Sequence, residues 1–144
     1  MKTFLLKDKK PIIKWGMLPD ETYFEGTIPE NYSLAVVPSE GYIVVDIDRH
    51  GDIDGFDNVP DYIIEELDST FNYKTKNNGM HYWLKYSGNI ELANKASGLG
   101  IDLRVGQKGY VKWYPKVDVR NCMGSVKESS FTMNKWLEKL FGYV

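Results

Sequence analysis

Two aspartates, Asp46 and Asp48, close the run Tyr42-Ile43-Val44-Val45-Asp46-Ile47-Asp48-Arg49-His50-Gly51. The residues before them are β-branched and aromatic, which favours a strand. Alternate residues of a strand share a face. Asp46 and Asp48 therefore point one way, while Val45 and Ile47 point towards a core. Adjacent carboxylates repel each other, at a cost in stability unless a cation lies between them. Hard oxygen ligands so placed suit a divalent metal. Two other readings exist. Acidic residues also end strands where the chain simply meets water and turns. Alternatively, Asp46, Asp48, His50, Gly51, Ile53 and Asp57 fall on positions one, three, five, six, eight and twelve of an EF-hand calcium loop. That motif needs an entering helix, and Gly41-Tyr42-Ile43-Val44-Val45 is a poor one.

A third carboxylate obeys the same logic. In Gly100-Ile101-Asp102-Leu103-Arg104, Ile101 and Leu103 facing a core put Asp102 and Arg104 together on the opposite face. Asp102 on a neighbouring strand would complete a three-carboxylate metal site, and Arg104 would neutralise a phosphate. Taken alone, the two are an ordinary exposed ion pair. His81 begins a strand after a turn at Gly79. A lone histidine there is more often a surface or satisfied residue than a functional one. If functional, it serves as a phosphate donor or a general acid/base, because its charge changes near neutral pH.

The elements that must position these residues form an α+β pattern. Strands are expected at 33–37 and 42–47, joined as a hairpin through Ser39-Glu40-Gly41. A glycine- and aspartate-rich loop follows over 50–58. A helix begins near Pro60, capped by Asn58. Residues 71–75 and 81–86 make a second hairpin across Asn77-Asn78-Gly79. Residues 87–100 are loop, and 101–105 pairs with 109–113 across Gly106 to Gly109. Met133, Trp136, Leu137, Leu140 and Phe141 follow the spacing of an amphipathic helix, capped by Ser129 or Ser130 and stopped by Gly142. The N-terminal stretch through Ile12, Ile13 and Trp15 reads as extended. The expected class is a mainly antiparallel sheet with flanking helices.

The chain has 144 residues, of which 14% are aromatic, enough to bury a core in one domain over 1–144. One cysteine, Cys122, excludes an internal disulfide and a cysteine-based zinc site. No apolar run spans a bilayer or forms a signal peptide, so no membrane partner and a cytoplasmic setting are expected. The net charge of −2 hides an uneven distribution: residues 1–19 carry +4, residues 20–69 carry −13 and residues 70–144 carry +7. An acidic middle between basic ends suits a metal site beside a polyanion site, and equally suits an unevenly charged surface.

Four blocks in order resemble the primase–polymerase domain of the archaeo-eukaryotic primase superfamily. Lys10-Pro11-Ile12-Ile13-Lys14-Trp15 is similar to the opening segment. Ile43 to Gly51 resembles the metal-binding motif, and Asn77-Asn78-Gly79-Met80-His81-Tyr82-Trp83-Leu84 the histidine motif. Gly100 to Arg104, with Gly109-Tyr110-Val111 and Pro115, resembles the third motif and the strand after it. The likeness spans roughly residues 10–115. It implies a primase-like fold with an RRM-like catalytic half. It also implies a metal-dependent nucleotidyltransferase, a DNA primase or primer-extending polymerase of phage, viral or plasmid replication, in a bacterial or phage-infected cell.

By resemblance, Asp46, Asp48 and Asp102 hold two Mg²⁺ or Mn²⁺ ions, and His81, Arg104 and Lys76 bind the dNTP or NTP. Trp15, Trp113 and Tyr114 are candidates to meet a single-stranded or primed DNA template, though Trp and Tyr more often build core. A separate replicative helicase is the implied partner. The chain departs from the pattern where many relatives carry Ser two positions ahead of the histidine, because Gly79 stands there. The N-terminal helix before the Lys-Pro segment is expected to be short or missing, and no following helicase module is expected. These departures motivate an alternative, an accessory protein that keeps the fold and binds nucleotide or nucleic acid without turnover.

Overall fold

Strand-forming runs alternate with glycine- and proline-marked turns along the chain, and in the computed structural model, which describes residues 1–144, they become twelve mostly short strands. These are β1 (Lys2–Lys7), β2 (Lys10–Pro11), β3 (Tyr32–Val37), β4 (Tyr42–Ile47), β5 (Arg49–His50), β6 (Ile53–Asp54), β7 (Asn72–Lys74), β8 (Met80–Lys85), β9 (Lys95–Ala96), β10 (Ile101–Val105), β11 (Val111–Trp113) and β12 (Lys127–Glu128). Two α-helices, α1 (Asp61–Asp68) and α2 (Phe131–Leu140), complete the framework. One sheet has the order β11-β3-β1-β2. The larger has the order β12-β8-β4-β10-β9, with β7 also on β8, and β5–β6 is a separate hairpin. Every pairing is antiparallel except β12 with β8. The class is α+β, as expected, but two sheets replace the single one. No helix is long and apolar enough to cross a membrane.

β4 is central to the larger sheet and covered on both faces, which explains its nearly unbroken apolar run. Ile43, Val45 and Ile47 pack with Ile63 and Leu67 of α1 and Met133 and Leu137 of α2. Val44 points the other way, into a core shared with Val36, Val111 and Trp113 of the smaller sheet and Trp83 of β8. Trp83 and Trp113 meet edge to face, with centroids 6.0 Å apart. The larger sheet thus lies between a helical layer and a second sheet. α2 starts as its sequence predicts: the Ser130 side chain accepts from the Met133 N–H.

Two expected pairings do not form. β3 pairs with β1 and β11, while β4 pairs with β8 and β10. The Ser39–Gly41 turn therefore carries the chain from one sheet to the other instead of closing a hairpin. Residues 106–109 do the same, delivering β11 to β3 instead of to β10. The two links touch backbone to backbone, since the Gly106 N–H donates to the Tyr42 carbonyl and the Gln107 N–H to that of Pro38. Turn residues signal that a chain bends. They do not say which strand it pairs with next, and here burial of both faces of β4 decides. The β7–β8 hairpin forms as expected, with Asn77 and Asn78 left-handed at its turn.

Smaller corrections follow the same logic. Pro60, not Asn58, caps α1, and the Asn58 amide instead donates to the Leu99 carbonyl. Part of the 50–58 loop is the β5–β6 hairpin, and β9 lies within the 87–100 loop. The N-terminal extended segment ends at Pro11, and Trp15–Met17 is a short 3₁₀ turn. A strand, not a helix, leads into Asp46, so the calcium-loop geometry is absent.

The β5–β6 region is pinned by a glycine contact. Gly100 has φ +80°, and a Cβ on Gly55 would stand 2.2 Å from the Gly100 carbonyl oxygen. Gly55→Ala should therefore cost about 1–3 kcal/mol, the usual penalty for forcing a methyl into a filled space. Urea unfolding should show it as a lower midpoint at an unchanged slope.

Candidate active site

β8, β4 and β10 are adjacent, and their register places Asp46 directly between His81 and Asp102. The next matched row is Trp83, Val44 and Arg104. Alternation sends Ile43, Val45, Tyr82, Leu84, Ile101 and Leu103 towards the helices. Asp46, His81, Asp102 and Arg104 consequently share the face turned towards the smaller sheet. Alternation in the sequence paired Asp46 with Asp48 and Asp102 with Arg104, each away from the core, and the β4–β10 pairing brings Asp46, Asp102 and Arg104 onto one face.

Asp48 lies one residue beyond β4 and is held by its backbone. Its N–H donates to the Gly100 carbonyl and its carbonyl accepts from the Gly55 N–H, both at 2.8 Å. Gly79 packs against this turn. A Cβ there would lie 2.8 Å from the Ile47 carbonyl oxygen, 3.4 Å from Asp48 Oδ1 and 2.6 Å from the Thr75 hydroxyl. A serine at 79 has no room, and the Thr75 hydroxyl already occupies the space beside it.

Asp46, Asp48 and Asp102 each present a carboxylate oxygen, and these oxygens lie within 4.8 Å of one another. Asp46 Oδ1 is buried without a hydrogen-bond partner. His81 Nε2 stands 3.5 Å from it, too far for a good hydrogen bond. A buried anionic oxygen left unpaired is costly. Burial, and next the neighbouring Asp46 charge, pushes Asp48 up to about 6. Burial also raises Asp102, against the pull of Arg104, whose Nη2 is 3.6 Å from Asp102 Oδ2. An all-oxygen set with an orphaned oxygen and disfavoured negative charge fits a divalent cation.

Asp46, Asp48, His81 and Arg104 line a cavity of about 440 Å³ between the two sheets, with Asp102 beside Asp46 at its edge. Lys9, Ser33 and Lys112 line it from the smaller sheet's side, and Lys76 and Thr75 from the β7–β8 turn. Lys9 sits in the β1–β2 turn with φ +66°, a strained conformation for a side-chain-bearing residue. Arg49 also borders the cavity but acts as a strut. It binds Asp54 and the Asn78 carbonyl and stacks 4.4 Å from the Phe56 ring. Of the three aromatics singled out in the sequence, only Tyr114 lines the cavity. Trp113 is buried in the inter-sheet core, and Trp15 stacks on Phe4. Nothing in the sequence pointed to Lys9 and Lys112, because the crossing of the chain between sheets brings them to the cleft, whereas Thr75 reaches it from the β7–β8 turn beside Lys76.

Asp48 gives a signed prediction. Its folded value, about 6, exceeds the ordinary 3.8, so folding binds a proton that the unfolded chain releases more easily. This contribution to stability is present below pH ~4 and lost as pH rises through about 6. In chelator, Asp48→Asn and the parent should melt alike near pH 4. The variant should melt higher by pH 7, and Mn²⁺ should raise the parent's midpoint but not the variant's. Thermal unfolding across that range checks both.

No curated protein matches the chain. A family model does: bifunctional DNA primase/polymerase, N-terminal (Prim-Pol), over residues 7–125. The match covers most of the 144 residues, including β4, β8, β10 and β11, the strands around the cavity. The α+β architecture with antiparallel sheets is the one expected of a primase-like fold. On that match the chain belongs to the bifunctional DNA primase/polymerase N-terminal family.

Proposed function

We propose that this chain is a metal-dependent nucleotidyltransferase, acting as a DNA primase or as a template-dependent primer-extending polymerase. The observation that carries the reading is the convergence of Asp46, Asp48 and Asp102, with Asp46 Oδ1 buried and unpaired. These three residues would hold Mg²⁺ or Mn²⁺. When bound, such ions neutralise charge on the attacking and leaving oxygens of an in-line phosphoryl displacement.

The protein's own groups do the rest. His81 offers a ring N–H to a phosphate oxygen of the incoming dNTP or NTP. Arg104, half-buried beside Asp102, sets a fixed positive charge on the cavity wall. Lys76, exposed on the β7–β8 turn, meets the triphosphate tail at the mouth. Lys9 and Lys112 add positive charge from the opposite wall, where a template or primer backbone would lie. Tight placement of reactants between two walls supplies orientation, which together with electrostatic stabilisation makes up nearly all of catalysis in phosphoryl transfer.

The setting that fits is phage, viral or plasmid replication in the cytoplasm of a bacterial or phage-infected cell. A separate helicase would expose single-stranded or primed DNA. Incorporation of labelled nucleotide on primed and bare templates with Mg²⁺ or Mn²⁺ tests the proposal. Asp46→Asn or Asp102→Asn should lower incorporation about 10²- to 10³-fold, on the scale of losing a main electrostatic contribution to catalysis. Nucleotide binding without product in the parent protein would instead favour the accessory reading, and unchanged incorporation by either variant would refute the site.

A further inference from the structure

Tyr73 is a strand residue of β7 paired in register with His81 of β8. Their rings meet edge to face with centroids 5.3 Å apart. The Tyr73 oxygen has three polar neighbours: Trp83 Nε1 at 3.2 Å, His81 Nδ1 at 3.1 Å and the Lys112 carbonyl at 3.5 Å. Hydrogen-bond capacity and distance together constrain where the protons lie. An indole N–H can only donate, so Trp83 occupies an acceptor position on the Tyr73 oxygen. The hydroxyl has one proton to give. His81 Nδ1 is the nearer acceptor, and the Lys112 carbonyl lies at the limit of a hydrogen bond. Burial holds the Tyr73 phenol far above its ordinary range, so this proton stays on Tyr73. With Nδ1 accepting, a neutral imidazole must carry its proton on Nε2. Nε2 is the nitrogen on the Asp46 side, 3.5 Å from the orphaned Oδ1.

We propose that Tyr73 is a positioning residue that fixes His81 as the Nε2–H tautomer, aiming that proton into the cleft as the donor to a nucleotide phosphate oxygen. The chain Trp83–Tyr73–His81 runs from the core between the sheets to the cavity, so the core orients the donor. Tyr73 itself does not line the cavity. This inference rests on the reading of His81 as a phosphate donor, but the tautomer itself stands apart from activity.

The test is long-range ¹H–¹⁵N correlation of the imidazoles in the metal-free protein, at a pH where they are neutral. The chain has only two histidines, and His50→Gln assigns the signals. In the parent, His81 should show a protonated Nε2 and a hydrogen-bonded, unprotonated Nδ1. Tyr73→Phe should move the Nδ1 signal towards that of a free nitrogen. It should also raise KM for the nucleotide about 2- to 10-fold, the worth of one ordinary hydrogen bond, with a smaller change in kcat. A proton on Nδ1 in the parent would overturn the proposal without any variant, as would imidazole signals unaltered by Tyr73→Phe. If the variant does not fold, fluorotyrosine at position 73, a stronger donor of nearly the same shape, should still shift the Nδ1 signal. Should the imidazole signals behave as expected while the parent incorporates no nucleotide, the tautomer assignment stands and the polymerase reading falls.

Discussion

Three carboxylates that repel one another are held within 4.8 Å, and the rest of the molecule is arranged to keep them there. Sheet register sets two of the three positions, since strands about 4.8 Å apart leave Asp46 and Asp102 nowhere else to go. Backbone hydrogen bonds to Gly100 and Gly55 set the third, Asp48. Repulsion on this scale would loosen an isolated hairpin. It is tolerated because the opposite face of the same strands carries Ile43, Val45, Ile47, Ile101 and Leu103, all essentially inaccessible to solvent. Burying each such side chain contributes about 1.5–3 kcal/mol. The apolar face thus stabilises a polar face that would otherwise be unfavourable.

The same division explains what could be read from the sequence. Alternation along β4 and β10 turned Asp46, Asp102 and Arg104 to the face away from the core, because a period of two survives any choice of partner strand, but the pairing of β10 with β4 was not legible. α2 was legible from its apolar spacing and its serine cap, and the β7–β8 hairpin from its asparagine- and glycine-rich turn. The pairing of β3 and β11 was not. Ser39–Gly41 and Gly106–Gly109 look like hairpin turns, and only burial of Val44 and Trp83 beneath a second sheet shows that they are crossings. That error hid the opposite wall of the cleft, so Lys9 and Lys112 could not be joined to the aspartates. Tyr73 escaped notice for a related reason: a tyrosine in a strand is ordinarily packing, and its link to His81 is a matter of hydrogen-bond geometry.

Gly79 changes meaning in the folded chain. From sequence it is the loss of a hydroxyl ahead of the histidine. In the structure it is a close approach: the β7–β8 turn can reach the end of β4 only without a side chain there. Thr75, four residues earlier, supplies a hydroxyl in the same neighbourhood, so the local chemistry of the turn has moved along the chain instead of vanishing.

Trp83 and Trp113, packed edge to face between the two sheets, bear on the gauge of the cleft as well as on stability. The walls that carry Asp46 and Lys112 are spaced partly by these two indoles, and no natural side chain is larger. Substitution at either position can therefore let the sheets settle closer, but none can prop them further apart. As far as these two positions set it, the width available to a nucleotide and its template stands at its upper bound, and change at either would run in one direction, towards a narrower mouth.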